Sequence, residues 1–182
     1  MVRAANKLMA ICGRRILLFA LVAVGLGFTA AAWAQNPKAI GSFGNWQALT
    51  FEESGKPGCY VIAEPDRKEG AYSSRGQVYA LVTHRPSDKS FDVVTVMAGY
   101  TYKPGSEVTV QIGNDKFSLF TEEGMAWASD EDDHKLVDAM KKGSEMSIHG
   151  VSSRGTETTD TYSLAGFTKA YTAIGTACGA KQ

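Results

Sequence analysis

The chain has 182 residues, with 19 Lys and Arg against 19 Asp and Glu. Four of the basic residues and none of the acidic ones fall in the first 34, so the remaining 148 carry 15 against 19, a formal charge of −4. A mildly acidic stretch of that length, without a basic run, is one domain with one sizeable core; it is a poor partner for nucleic acid or anionic lipid, which are held by Lys and Arg clusters.

The first 34 residues have the three-part layout of a bacterial secretory signal. Arg3, Lys7, Arg14 and Arg15 make the basic start, and Ile16 to Phe28 the apolar run. Ala32-Trp33-Ala34 is a small-x-small cleavage site, with Gln35 as the mature start. The apolar run is about 13 residues where a spanning helix needs roughly 20, so no stable membrane span is expected after cleavage. An uncleaved anchor lengthened through Ala34 is the alternative. Gly13-Arg14-Arg15 resembles a twin-arginine export signal, although paired arginines also precede ordinary ones. Cys12 stands before the apolar run, the wrong side for lipid attachment. The expected organisation is a signal peptide at 1–34 and a single domain at 35–182, periplasmic or secreted, with envelope association as a further option.

Residues 35–45 read as a short polar entry. Strand patterns follow at 46–51 and 59–63, separated by a turn at 52–58. Residues 66–76 are polar and rich in Gly and Ser, and are expected to form a surface loop. Strands resume at 77–83 and 91–97, both rich in β-branched residues. In 107–112, Val108, Val110 and Ile112 alternate with polar residues, which predicts one buried and one wet face. Gly113-Asn114-Asp115 is a hairpin signal answered by 116–120, and 124–128 adds a short strand.

A helix is expected over about 130–142. Ser129 or Asp130 can cap it, Asp130 to Asp133 favour its positive end, Lys141 and Lys142 its negative end, and Gly143 stops it. Leu136, Val137 and Met140 form its apolar stripe. Strands return at 145–150 and 159–164, then a short C-terminal helix at 167–177. About nine short strands with regular turn signals predict a mainly β chain, a single antiparallel sandwich or partly closed barrel.

With Cys12 removed, Cys59 and Cys178 are left as an even pair. In an oxidising compartment that predicts a disulfide, and no C-x-x-C redox motif is present.

The chemical motifs are weak. The run Asp130-Glu131-Asp132-Asp133 lacks the alternation and glycine of a calcium loop, and reads as a helix start. His84, His134 and His149 stand at no metal-ligand spacing, although Asp130 and His134 are four apart; no metal and no cofactor are expected. Gly150-Val151-Ser152-Ser153-Arg154-Gly155 fails the nucleophile-elbow spacing at Arg154. Arg154 can still capture a carboxylate or phosphate, or simply sit in a polar turn. Ser153, Tyr100 and Tyr102 complete the candidate binding set; seven tyrosines in all suit either a carbohydrate- or protein-binding surface or ordinary strands. Glu145, Glu157 and Asp160 lie in neighbouring predicted strands, where a glycosidase pair would need two carboxylates about 5–9 Å apart.

Several of these segments together resemble one family. Trp46, Cys59-Tyr60, Gly99-Tyr100, Lys103-Pro104-Gly105-Ser106, Ala126-Trp127, the helix at 136–143, Ser152-Ser153-Arg154-Gly155-Thr156, the run 160–167 and the late Cys178 resemble the invasion-associated locus B family in content and order. The resemblance implies an exported β-rich alphaproteobacterial protein, some of whose relatives are linked to host-cell entry. It transfers no catalytic residue. The expected function is a non-enzymatic binding or accessory module of the envelope, with an envelope or host protein or glycan as partner. The alternatives are a small envelope hydrolase using Glu145, Glu157, Asp160 or Ser153, and a carrier of a small apolar ligand in the barrel interior.

Overall fold

The computed structural model describes residues 37–180. The expected leader and its cleavage site therefore lie outside the described residues. The chain begins with strands β1 (Lys38–Phe43), β2 (Trp46–Glu53), β3 (Lys56–Ala63) and β4 (Arg67–Gly70). Next come β5 (Tyr79–Arg85), β6 (Ser90–Met97), β7 (Glu107–Ile112), β8 (Asp115–Glu122) and β9 (Met125–Trp127). Helix α1 (Asp130–Lys142) separates them from β10 (Glu145–Val151) and β11 (Glu157–Ser163), and α2 (Phe167–Cys178) closes the fold.

All strands join one antiparallel sheet in the order β1-β2-β3-β5-β6-β9-β8-β7-β10-β11-β4. The mainly β expectation holds, with eleven described strands where the pattern suggested about nine. The two additions, β1 and β4, are the sheet edges. They fall where a polar entry and a surface loop were expected. All four residues of β4 are exposed, so its sequence carries no alternation to read. The register of β1 shifts between Ala39 and Gly41, which breaks its alternation too.

The sheet curls until its two halves meet at one corner. The Trp46 indole N–H of β2 donates to the Ser163 carbonyl of β11 at 2.9 Å. Asp66 joins the same corner: its main-chain N–H donates to the Thr161 carbonyl, and its carboxylate accepts from the Ser163 N–H at 2.6 Å. The concave face is filled. Val108, Val110 and Ile112 point inward as their alternation predicted. Helix α1 lays Leu136, Val137 and Met140 inward near β6, and α2 lays Phe167, Ala170 and Ile174 against β2 and β3. Trp46 meets Phe167 edge-on at 4.9 Å. A carrier would need a hollow interior; here the space holds Trp46, Tyr162, Phe167 and Leu119, each fully buried.

The limits of α1 match the charge pattern, but both ends work differently from expectation. The Ser129 hydroxyl donates to the Asp132 carboxylate at 3.1 Å rather than accepting a backbone N–H. Gly143 takes an extended conformation (φ −78°), so it is not a left-handed terminator. It is small because a Cβ there would lie 2.4 Å from Ile112 Cγ2 and 2.9 Å from Leu164 Cδ1. Cys59 and Cys178 form the expected disulfide, with Cα atoms 6.1 Å apart, tying β3 to the end of α2.

Candidate functional site

Segment 71–76, residues 99–101 and the β10–β11 turn surround an open cleft of about 640 Å³. Backbone contacts hold its walls together. Ser153 N–H donates to the Thr101 carbonyl at 2.8 Å, and Lys103 N–H to Val151 at 2.9 Å. Gly76 N–H donates to the Gly99 carbonyl at 2.8 Å. Gly99 sits at φ +72°, and a Cβ there would lie 2.6 Å from the Gly76 carbonyl oxygen, so only glycine fits.

The floor is built around Arg75. Its guanidinium makes a two-pronged bond to Asp160, 2.7 Å at Oδ1 and 2.5 Å at Oδ2, while Nε donates to the Ala98 carbonyl at 2.6 Å. Both side chains are nearly excluded from solvent, at 4% and 3% exposure. Two rings flank the guanidinium, Tyr72 at 5.4 Å and Tyr100 at 5.0 Å. Tyr100 shares a 2.7 Å hydrogen bond with Thr158 and meets Tyr102 edge-on at 5.2 Å. Burial raises the pKa of Tyr100, against the opposing pull of Thr158 and Arg75, so the phenol stays protonated and offers a hydrogen bond rather than a base.

Of the predicted set, Tyr100, Ser153 and Arg154 converge on this cleft. Tyr102 lies behind Tyr100, buried in the core. Arg154 has no ion-pair partner among the described residues, whereas Arg75 is neutralised in place. The carboxylates of the hydrolase reading do not meet. Glu145 pairs with Ser163 in the β10–β11 ladder and Glu157 with Val151, at opposite ends, and Asp160 is committed to Arg75. Arg75 escaped sequence reasoning because a lone arginine in a Gly/Ser-rich stretch reads as solvated, and Tyr72 stood there only as one of the seven tyrosines.

The family model for "Invasion associated locus B (IalB) protein" matches residues 46–175. That span holds every residue of the cleft. The chain belongs to the IalB family. Among solved structures, the crystal structure of invasion associated protein B from Bartonella henselae is similar, with a TM-score of 0.50 at 16% identity. The similarity covers 77% of this chain and 95% of that one, and it supports the shared fold. No curated relative matches the chain.

A second polar cluster in the IalB-matched span ties both helices to β6. Asp92, buried at φ +62°, accepts the Tyr171 hydroxyl at 2.6 Å on Oδ1 and lies 2.9 Å from His134 Nδ1 through Oδ2. Its own N–H donates to His84 Nδ1 at 3.1 Å. His134 therefore meets Asp92, and Asp138 at 3.8 Å, rather than Asp130 four residues before it. His149 lies apart, sharing a hydrogen bond with Thr159. Among the described residues no group of three or more His, Cys, Asp or Glu is arranged to hold a metal ion. No helix among them is long and apolar enough to cross a membrane.

Beside this cluster Asp133 accepts the Val94 N–H at 2.8 Å. Burial pushes its pKa up to about 6; the charges of Asp130, Asp92 and Asp132 add to the rise, and the Val94 bond opposes it. The folded state thus holds this proton more tightly than the unfolded chain. The stability it supplies is present in acid and is lost as pH climbs through about 6. Burial of His84 lowers its pKa and works in the opposite sense, costing stability as pH falls below the ordinary histidine range. The clean observable is the difference from Asp133→Asn, whose amide oxygen still accepts the Val94 N–H. The variant should melt above the wild type at about pH 8, with the gap narrowing below pH 6 and closing only as pH falls under the ordinary carboxyl value of 3.8. A gap independent of pH in circular-dichroism melts would show that Asp133 titrates normally.

Proposed function

We propose that this IalB-family chain is an exported, non-catalytic module of the bacterial envelope. Its leader is removed after Ala34, and the domain works in the periplasm or outside the cell. It binds a protein or glycan partner in the Tyr72–Arg75–Tyr100 cleft, and where the bacterium is host-associated that binding contributes to invasion. One observation carries the reading. Arg154, unpaired among the described residues, stands at a hydroxyl-rich cleft whose other guanidinium is already neutralised. Such a site has one cation to offer a carboxylate or phosphate, together with Ser153, Thr101 and a tyrosine edge for neutral hydroxyls. The hydrolase alternative has no converging pair of carboxylates, and Ser153 hydrogen-bonds to Thr101 only through its backbone.

The test is a pull-down from an envelope extract, followed by titration of the retained partner or of acidic and neutral oligosaccharides. Arg154→Ala should weaken binding by about tenfold, the value of one charge-assisted hydrogen bond, and leave the melting midpoint unchanged. Retention of no partner, together with turnover of an envelope substrate by the purified protein, would overturn the reading.

A further inference from the structure

The convex face of the sheet is unusually apolar. Its inner neighbours alternate inward to the core, which leaves a second set of side chains pointing out. The pairing registers place Ile62, Leu81, Thr95, Trp127 and Phe120 in one row across β3, β5, β6, β9 and β8. Tyr60 and Val93 flank it through Thr83 on one side, and Tyr79, Met97 and Met125 on the other. Thr83 is 8% exposed although it faces outward, because the surrounding side chains cover it. Phe120 and Met125 are 55% and 39% exposed. A half-wet antiparallel sheet normally shows polar residues here.

The face has a relief. At one end Phe120 stacks on Trp127, ring centroids 5.7 Å apart, as a ridge. At the other, Leu49, Tyr60, Ile62 and Tyr79 line a groove of about 620 Å³. Ridge and groove lie three strand spacings apart, roughly 14 Å. A protrusion and a recess on one face are self-complementary about a two-fold axis between them, since each copy then inserts its ridge into the other's groove.

We infer that this face binds a second copy of the same chain, sheet against sheet, with Phe120 and Trp127 of each copy in the groove of the other. Size and charge agree. Six strands and three outward rows make a face of roughly 29 by 20 Å, so two copies bury about 1,200 Å², enough for a specific interface. Glu122 pairs with Met125 in the ladder and Glu107 with Phe120, so both carboxylates flank the ridge. Glu107 and Gln47 end the same row, through Phe120 at one end and Ile62 at the other, so across the axis Glu107 meets the Gln47 amide. The groove's own carboxylates are taken, Glu64 by Lys68 at 3.5 Å and Asp66 by Asn45 and Ser163.

Sedimentation equilibrium of the purified protein over a wide concentration range tests this. The wild type should rise from one to two chain masses. Phe120→Glu and Tyr60→Lys should each weaken self-association by at least about tenfold with unchanged melting curves; Trp127→Ser serves if either unfolds. Mixing Phe120→Glu with Tyr60→Lys should restore the dimer, because one ridge–groove contact is then native and the other pairs Glu with Lys. A wild type that stays monomeric throughout overturns the proposal. So do substitutions that leave a dimer intact, or a mixture that stays monomeric. Monomeric wild type that binds neutral phosphatidylcholine vesicles, with Phe120→Glu released, would assign the face to lipid instead.

Discussion

Removing the Cys59–Cys178 bridge is expected to lower the thermal midpoint by roughly 10–20 °C, the largest effect of any single change in this domain. The bond spans 119 residues, so it constrains almost the whole described chain when unfolded. The chain-entropy treatment gives about 4–5 kcal/mol for a loop of that size. In the folded state it joins β3, the third strand from one edge of the sheet, to the last turn of α2, which is otherwise held by the packing of Phe167, Ala170 and Ile174 and by the Tyr171–Asp92 hydrogen bond. Cys59→Ala with Cys178→Ala avoids leaving a free thiol and, at a Cys59 position only 1% exposed, avoids burying a serine hydroxyl. The wild type melted in reductant should coincide with the double variant. If reductant leaves the midpoint unmoved, the bridge does not form in the protein.

The second large effect concerns the floor of the cleft. Asp160→Asn leaves the Arg75 guanidinium buried without its counter-charge, and breaking such a pair from one side costs about 3–5 kcal/mol. The midpoint should fall by roughly 10 °C. The loss is structural before it is functional, because Arg75 also anchors the segment 71–76 to the Ala98 carbonyl and separates two tyrosine rings. Trypsin should then cut at Arg75 in the variant and spare it in the wild type. Replacing both partners with apolar residues, Arg75→Met with Asp160→Leu, should recover more than half of the stability, since the buried charge is gone. Stability alone would return; partner binding in the cleft would not, because the flanking rings lose the cation that orders them. An Asp160→Asn protein that melts within a degree or two of the wild type would mean that water reaches the pair.

Local patterning made much of this fold legible. The alternation of Val108, Val110 and Ile112 and the Gly113-Asn114 turn specify the β7–β8 hairpin, and the charge gradient along 130–142 marks both ends of α1. Each of those signals arises within a few residues of where it acts. The edges were not legible. In β4 every side chain is exposed, and in β1 an irregular register removes the period, so nothing local distinguishes either strand from a loop. Three of the four candidate residues reach or border the cleft, since Arg154, Ser153 and Tyr100 sit beside turns that expose them. Tyr102 fails because its neighbour Tyr100 takes the outer position and leaves it in the core.

By itself the chain determined nine of its eleven described strands, its two described α-helices, the parity of its cysteines and its membership of a family, all of which depend on residues read in order. Only the tertiary structure decided which groups are partners. Arg75 can be a buried cation because Asp160 arrives from 85 positions away to neutralise it. β9 enters the sheet between β6 and β8, which brings Trp127 beside Phe120 and builds the ridge of the convex face. Periodicity reports whether a side chain is buried, since burial is set by the local backbone direction. It does not report against what, because that choice is made by the free energy of the whole packed sheet.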